Sequence, residues 1–136
     1  MHSTTRLARR AFATGAVLAA VAGLGIAAAG SAEAATGKNG NLETGEFGLY
    51  YAPNKGLPVF DLFVSDVNFA GDTFYNTTIS ANNNTASYWN RDSFTWYVYT
   101  GANATGSEGW LDPGYTGNAS STFRNTITSA YFYDAN

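Results

Sequence analysis

The chain has 136 residues, a formal net charge of −3, one histidine and no cysteine. Its histidine, His2, lies in an N-terminal stretch that reads as a leader, so the remainder carries neither imidazole nor thiol. That excludes Ser-His-Asp and Cys-His nucleophile systems, His/Cys zinc sites, thiol redox couples and stabilising disulfides.

In chain order, residues 1–34 combine a basic start (Arg6, Arg9, Arg10), an apolar Ala/Val/Leu/Gly run and the small-residue triplet Ala32-Glu33-Ala34. This layout predicts a secretory signal peptide and an extracellular protein, with no membrane contact once the leader is removed. Beyond it remain four basic residues, Lys38, Lys55, Arg91 and Arg124, against nine acids. Phosphate neutralisation needs a basic patch, so nucleic acid is not an expected partner. Residues 35–44 are polar and glycine-bearing and predict a flexible lead-in to a single domain at 45–136.

Five runs then read as short strands: 46–51, 58–65, 72–80, 93–100 and 129–134. Each is rich in aromatic or β-branched residues and bounded by Gly, Asn, Asp or Pro. In the fourth, Phe94, Trp96 and Val98 share one face and Thr95, Tyr97 and Tyr99 the other. No window holds a helical period. The expectation is an all-β sandwich of Greek keys whose core is aromatic mass in place of disulfides. The nearest carboxylate pairs, Asp61/Asp66 and Glu108/Asp112, read as solvated strand and turn positions, so the chain is not expected to be an enzyme. The Asn-x-Ser/Thr strings at Asn76, Asn83, Asn103 and Asn118 read as turn composition.

The domain also looks duplicated, with a first Greek key at about 45–92 and a second at about 93–136. Asn84-Thr85-Ala86-Ser87 returns 41 residues later as Asn125-Thr126-Ile127-Thr128, each followed by aromatics. Upstream of each copy an aromatic strand enters a Gly/Asn turn, at 48–56 and 96–106.

On the stretches 45–54, 82–106 and 123–133 the chain resembles the βγ-crystallins, and among them the secreted bacterial group called peptidase inhibitor family 36. The family pattern N/D-N/D-x-x-S/T-S falls on Asn83–Tyr88, with Tyr88 for the final Ser, and on Arg124–Ser129, with Arg124 for the first Asn/Asp. The resemblance implies a βγ-crystallin-like sandwich and a monomeric inhibitor of an extracellular peptidase, a metalloproteinase in this group. A candidate inhibitory loop is Leu57-Pro58-Val59, stiffened by its proline; a second exposed segment is 102–109. No cofactor is required, but the resemblance implies calcium as a candidate ion, held by Asn83, Asn84, Ser87, Asn125 and Thr128. The other reading of the same residues is Asx and ST turns between strands. The alternative function is a calcium-stabilised extracellular structural or cell-wall-binding module, stacking sugars on Tyr88, Trp89, Trp96 or Trp110.

Overall fold

A computed structural model describes residues 35–133; the expected signal peptide lies outside these residues. Among the described residues seven strands form, all antiparallel: β1 (Phe47–Ala52), β2 (Gly56–Leu62), β3 (Ser87–Asn90), β4 (Trp96–Gly101), β5 (Thr105–Leu111), β6 (Thr116–Asn118) and β7 (Ser129–Phe132). They build two sheets, ordered β2-β1-β3-β6 and β5-β4-β7. No described helix is long and apolar enough to cross a membrane.

The two halves repeat each other closely. β1 and β4 each lead through a three-residue connection into the next strand, its last two residues at positive φ: Asn54 and Lys55 (57° and 60°), Asn103 and Ala104 (58° and 59°). Positive φ at two central residues matches the right-handed twist of a hairpin. A bulge precedes each turn, at Tyr50/Ala52 and at Tyr99/Gly101. The halves then trade strands. β6, from the second half, pairs with β3 through Ser87–Asn118, Tyr88–Gly117 and Trp89–Thr116. Asp66, from the first half, bridges Ala130 on β7. Each sheet therefore takes an outer segment from the other half.

Alternation along the strands sends one face inward. Phe47, Leu49, Phe60, Leu62, Tyr88, Trp96, Val98, Leu111, Ala130 and Phe132 share one buried core with Phe69, Phe74 and Ile127. The equivalent rings of the two halves meet there: Phe47 stacks on Trp96 at 4.9 Å and 24°, and Trp96 lies 5.2 Å from Phe132. Asp92 accepts the Trp96 indole N–H at 2.7 Å, satisfying the ring's polar edge within the core.

Three expectations change. Residues 72–80 form a compact loop with only the isolated bridge Thr73–Ser80. Phe74 N–H reaches Ile79 O and Thr77 caps Phe74 O, while Phe74 alone of the Phe74-Tyr75 pair is buried. Strands β3, β5 and β6 form where none was expected. Residues 35–44, expected to be flexible, lie across the outer face of the first sheet. Lys38 N–H donates to Asp61 O, Asn39 and Gly40 N–H to the Asp61 carboxylate, and Arg91 to Leu42 O. Leu42 packs so closely on Gly48 that a Cβ there would come within 2.9 Å of it.

Candidate functional site

The two motif loops meet between the halves. Asn83 N–H donates to Ile127 O at 3.0 Å and Asn125 N–H to Thr85 O at 2.9 Å. Both asparagines hold positive φ, 60° and 57°, which Asn tolerates better than branched residues. Their relation fixes the true repeat at 42 residues, one more than the string match suggested. Ser87 and Ser129 confirm this register. Ser87 Oγ donates to Ala52 O (2.7 Å) and accepts Lys55 N–H (2.9 Å); Ser129 Oγ donates to Gly101 O (2.6 Å) and accepts Ala104 N–H (3.3 Å).

The corrected register moves the first motif to Asn82–Ser87, with Ser87 as its final serine and Ala86 in the hydroxyl position. Ser87 thus clasps a hairpin, and Asn84 donates its amide to Ser80 O. Of the five candidate calcium ligands, the structure joins Asn83 and Thr128 directly, Thr128 Oγ1 donating to Asn83 Oδ1 at 3.1 Å. Asn82, adjacent in the chain, has a buried Oδ1 with no hydrogen-bond partner. Sequence reading missed Asn82 because the identity Asn84-Thr85/Asn125-Thr126 outweighed the positional demands of a left-handed Asn and a clasping Ser. The related junction offers Arg124 and Ala86 instead, a cation and a methyl. Oxygen donors for a hard cation therefore fit one junction and not the other.

The segment Leu57-Pro58-Val59, expected as a loop, belongs to edge strand β2. Val59 pairs with Tyr50 and is buried, because it turns toward the outer sheet face covered by Leu42; Leu57 is 71% exposed beside the turn. Segment 102–109 is the matching turn plus the exposed part of β5.

Asp61 and Asp66, expected in solvent, are buried: Asp61 is 0% exposed beneath residues 35–44, as is Glu46, and Asp66 lies against Lys38 Nζ at 2.9 Å. Burial, then the neighbouring Glu43 and Asp61, pushes Glu46 up to about 10. Neither Glu46 oxygen has a hydrogen-bond partner, which fits a carboxyl kept neutral by burial; the neighbouring Glu46 carboxyl is the main cause holding Glu43 below its ordinary value. Burial also raises Asp61. This is a structural cluster, and no described group of three or more His, Cys, Asp or Glu could hold a metal.

Of the four rings named as sugar-stacking candidates, Tyr88 and Trp96 belong to the core. Trp89 is half-buried between Lys55 Nζ (4.9 Å) and the Arg91 guanidinium (5.0 Å), and Trp110 is 64% exposed. The Glu108 and Asp112 carboxylates flanking Trp110 are exposed, as the sequence suggested.

No family model matches the chain, and no curated protein matches it. Solved structures do. A domain from work on the evolution of the eye-lens βγ-crystallin fold aligns with a TM-score of 0.59 and 15% identity over 72% of this chain and 94% of its own. A βγ-crystallin from Ciona intestinalis gives 0.53 and 19%, over 65% and 99%. A βγ-crystallin domain from Clostridium beijerinckii gives 0.52 and 21%, over 65% and 97%. The chain therefore has a βγ-crystallin-like fold: all-β, two Greek keys, two antiparallel sheets.

Proposed function

We propose that this protein is an extracellular, non-enzymatic βγ-crystallin-type module whose closed form is stabilised by a calcium ion between its halves. The supporting observation is the junction where Thr128 meets Asn83, preceded in the chain by Asn82, whose buried amide oxygen has no hydrogen-bond partner. These donors are neutral, so the affinity belongs to the weak extracellular range of about 10⁻⁴–10⁻³ M. Binding only to the folded form raises stability by mass action. The test is calorimetric melting in EDTA and in ~10 mM calcium. A rise of several degrees, lost in Thr128→Val, supports the reading; an unchanged melting temperature overturns it and leaves Asn82 and Asn83 as turn residues.

A second reading, peptidase inhibition, draws on Leu57, exposed at the start of a hydrogen-bonded edge strand. A rigid presenting segment costs little entropy on binding. Stoichiometric inhibition of a thermolysin-like metalloproteinase, weakened in Leu57→Ala, would support it; no inhibition at micromolar protein would remove it.

A further inference from the structure

The outer faces of the two sheets differ. That of the first sheet lies under residues 35–44, whereas that of the second carries a row of rings running across all three of its strands. Tyr97 on β4 stands between Trp110 on β5 and Tyr131 on β7, paired with both. These three residues alternate with the core residues Trp96, Val98, Leu111, Ala130 and Phe132, so they point away from the core. Tyr133 extends the row: its ring lies 5.3 Å from Tyr97 and parallel to Tyr131 within 10°. Tyr99 supports the row from the side, edge-on to Tyr131 at 5.7 Å. Two carboxylates flank Trp110 along β5, both fixed by hydroxyls: Glu108 accepts Tyr99 O–H at 2.6 Å and Asp112 accepts Thr95 O–H at 3.3 Å.

We propose that this face binds a neutral polysaccharide of β-1,4-linked pyranoses. The charge pattern selects the ligand. No described base lies beside Trp110 or Tyr97: Lys55 and Arg91 sit on Trp89, Arg124 is in the second motif loop, and Lys38, at the β7 edge, is neutralised by Asp66, the residue that bridges Ala130. A face with carboxylates and no base repels phosphorylated, sulfated or uronic chains and offers acceptors to vicinal hydroxyls. Each exposed ring supplies an apolar face for the C–H face of a sugar, Tyr97 and Tyr133 tilted by 56° to one another. Tyr131 is only 7% exposed and backs the row from below, so the accessible rings are Trp110, Tyr97 and Tyr133. With adjacent strands about 4.8 Å apart and Tyr133 5.3 Å beyond Tyr97, these three rings span about 10 Å, close to the length of a linked disaccharide. The proposal rests on the extracellular reading only for where the ligand is met, and its failure leaves the calcium result untouched.

The test is co-sedimentation of the purified protein with microcrystalline cellulose and with chitin. Depletion from the supernatant by at least one polymer, persisting at ~1 M salt where screened ion pairs fail, is expected. Trp110→Ala should weaken it about tenfold, and Trp89→Ala, on the other sheet, should leave it unchanged. Trp110 is largely exposed, so its loss does not threaten folding, which near-ultraviolet circular dichroism checks. Retention on neither polymer, equal retention of Trp110→Ala, or concentration-dependent self-association that covers Trp110 would overturn the proposal.

Discussion

Glu46 shows how one side chain can set the pH response of a whole domain. Its carboxyl is fully buried and its pKa is raised to about 10, so the folded form keeps a proton that the unfolded chain releases near 4.5. Between those values folding takes up a proton, and stability falls as pH rises. Asp61 and Asp72 act in the same direction, burial being the leading cause for each, with Asp72 raised to about 6. Glu43 is lowered and works the opposite way, its contribution being lost as pH falls through its folded value. The expected maximum of stability is therefore mildly acidic. Glu46→Gln keeps the shape and a donor while removing the proton uptake. It should raise stability by about 2 kcal/mol at pH 7 and flatten the decline between pH 5 and 8, measured by urea unfolding at each pH. A variant less stable than the parent at pH 8 would show that Glu46 is ionised in the folded protein.

The hairpin clasp is the unit in which the elements are joined. Each clasping serine satisfies a backbone carbonyl before the turn and an N–H within it, both distant in sequence. Ser87→Ala and Ser129→Ala should each cost about 1–3 kcal/mol, since both strand the same pair of backbone groups. Urea midpoints shifted in only one of the two variants would contradict the equivalence of the halves. At this scale the sequence was readable wherever β-branched or aromatic residues alternate, as in β1, β2, β4 and β7. Strand β5 escaped because Thr-Gly-Ser-Glu-Gly-Trp-Leu faces solvent along most of its length and buries only Leu111 at its end. β3 and β6 are too short to show a period, and neighbouring strands define them. Residues 72–80 misled in the other direction: their aromatic and β-branched content reads as a strand, but Phe74 and Ile79, five apart and so on opposite faces of any strand, are both apolar anchors of a folded-over loop. Of the four strings read as turns, those at Asn76, Asn83 and Asn103 place these residues at positive φ, whereas Asn118 ends strand β6, paired with Ser87. The candidate site was half legible. Its Asn and Thr types follow from the motif, but which of them meet depends on how the halves close, and that is a tertiary fact.

The whole molecule holds together without disulfides through one continuous aromatic core, in which Phe47 of the first half stacks on Trp96 of the second. The rings of Trp110, Tyr97 and Tyr133 on the second sheet are the same aromatic composition turned outward, so a single bias in sequence reaches both core and surface. The exchange of outer segments adds a further consequence. Neither half is a self-sufficient body: without β6 the first sheet loses its outer strand at β3, and without the segment at Asp66 the backbone of Ala130 loses its partner. The break between β3 and β4 is thus a seam for a split protein. Residues 35–92 and 93–136, expressed apart, should each lack sharp near-ultraviolet dichroism, and their mixture should recover it together with a single cooperative melt. If either fragment folded alone, the swapped strands would be ornament; if only the mixture does, the duplicated chain is a dimer tied into one molecule, with the short stretch between β3 and β4 as its tether.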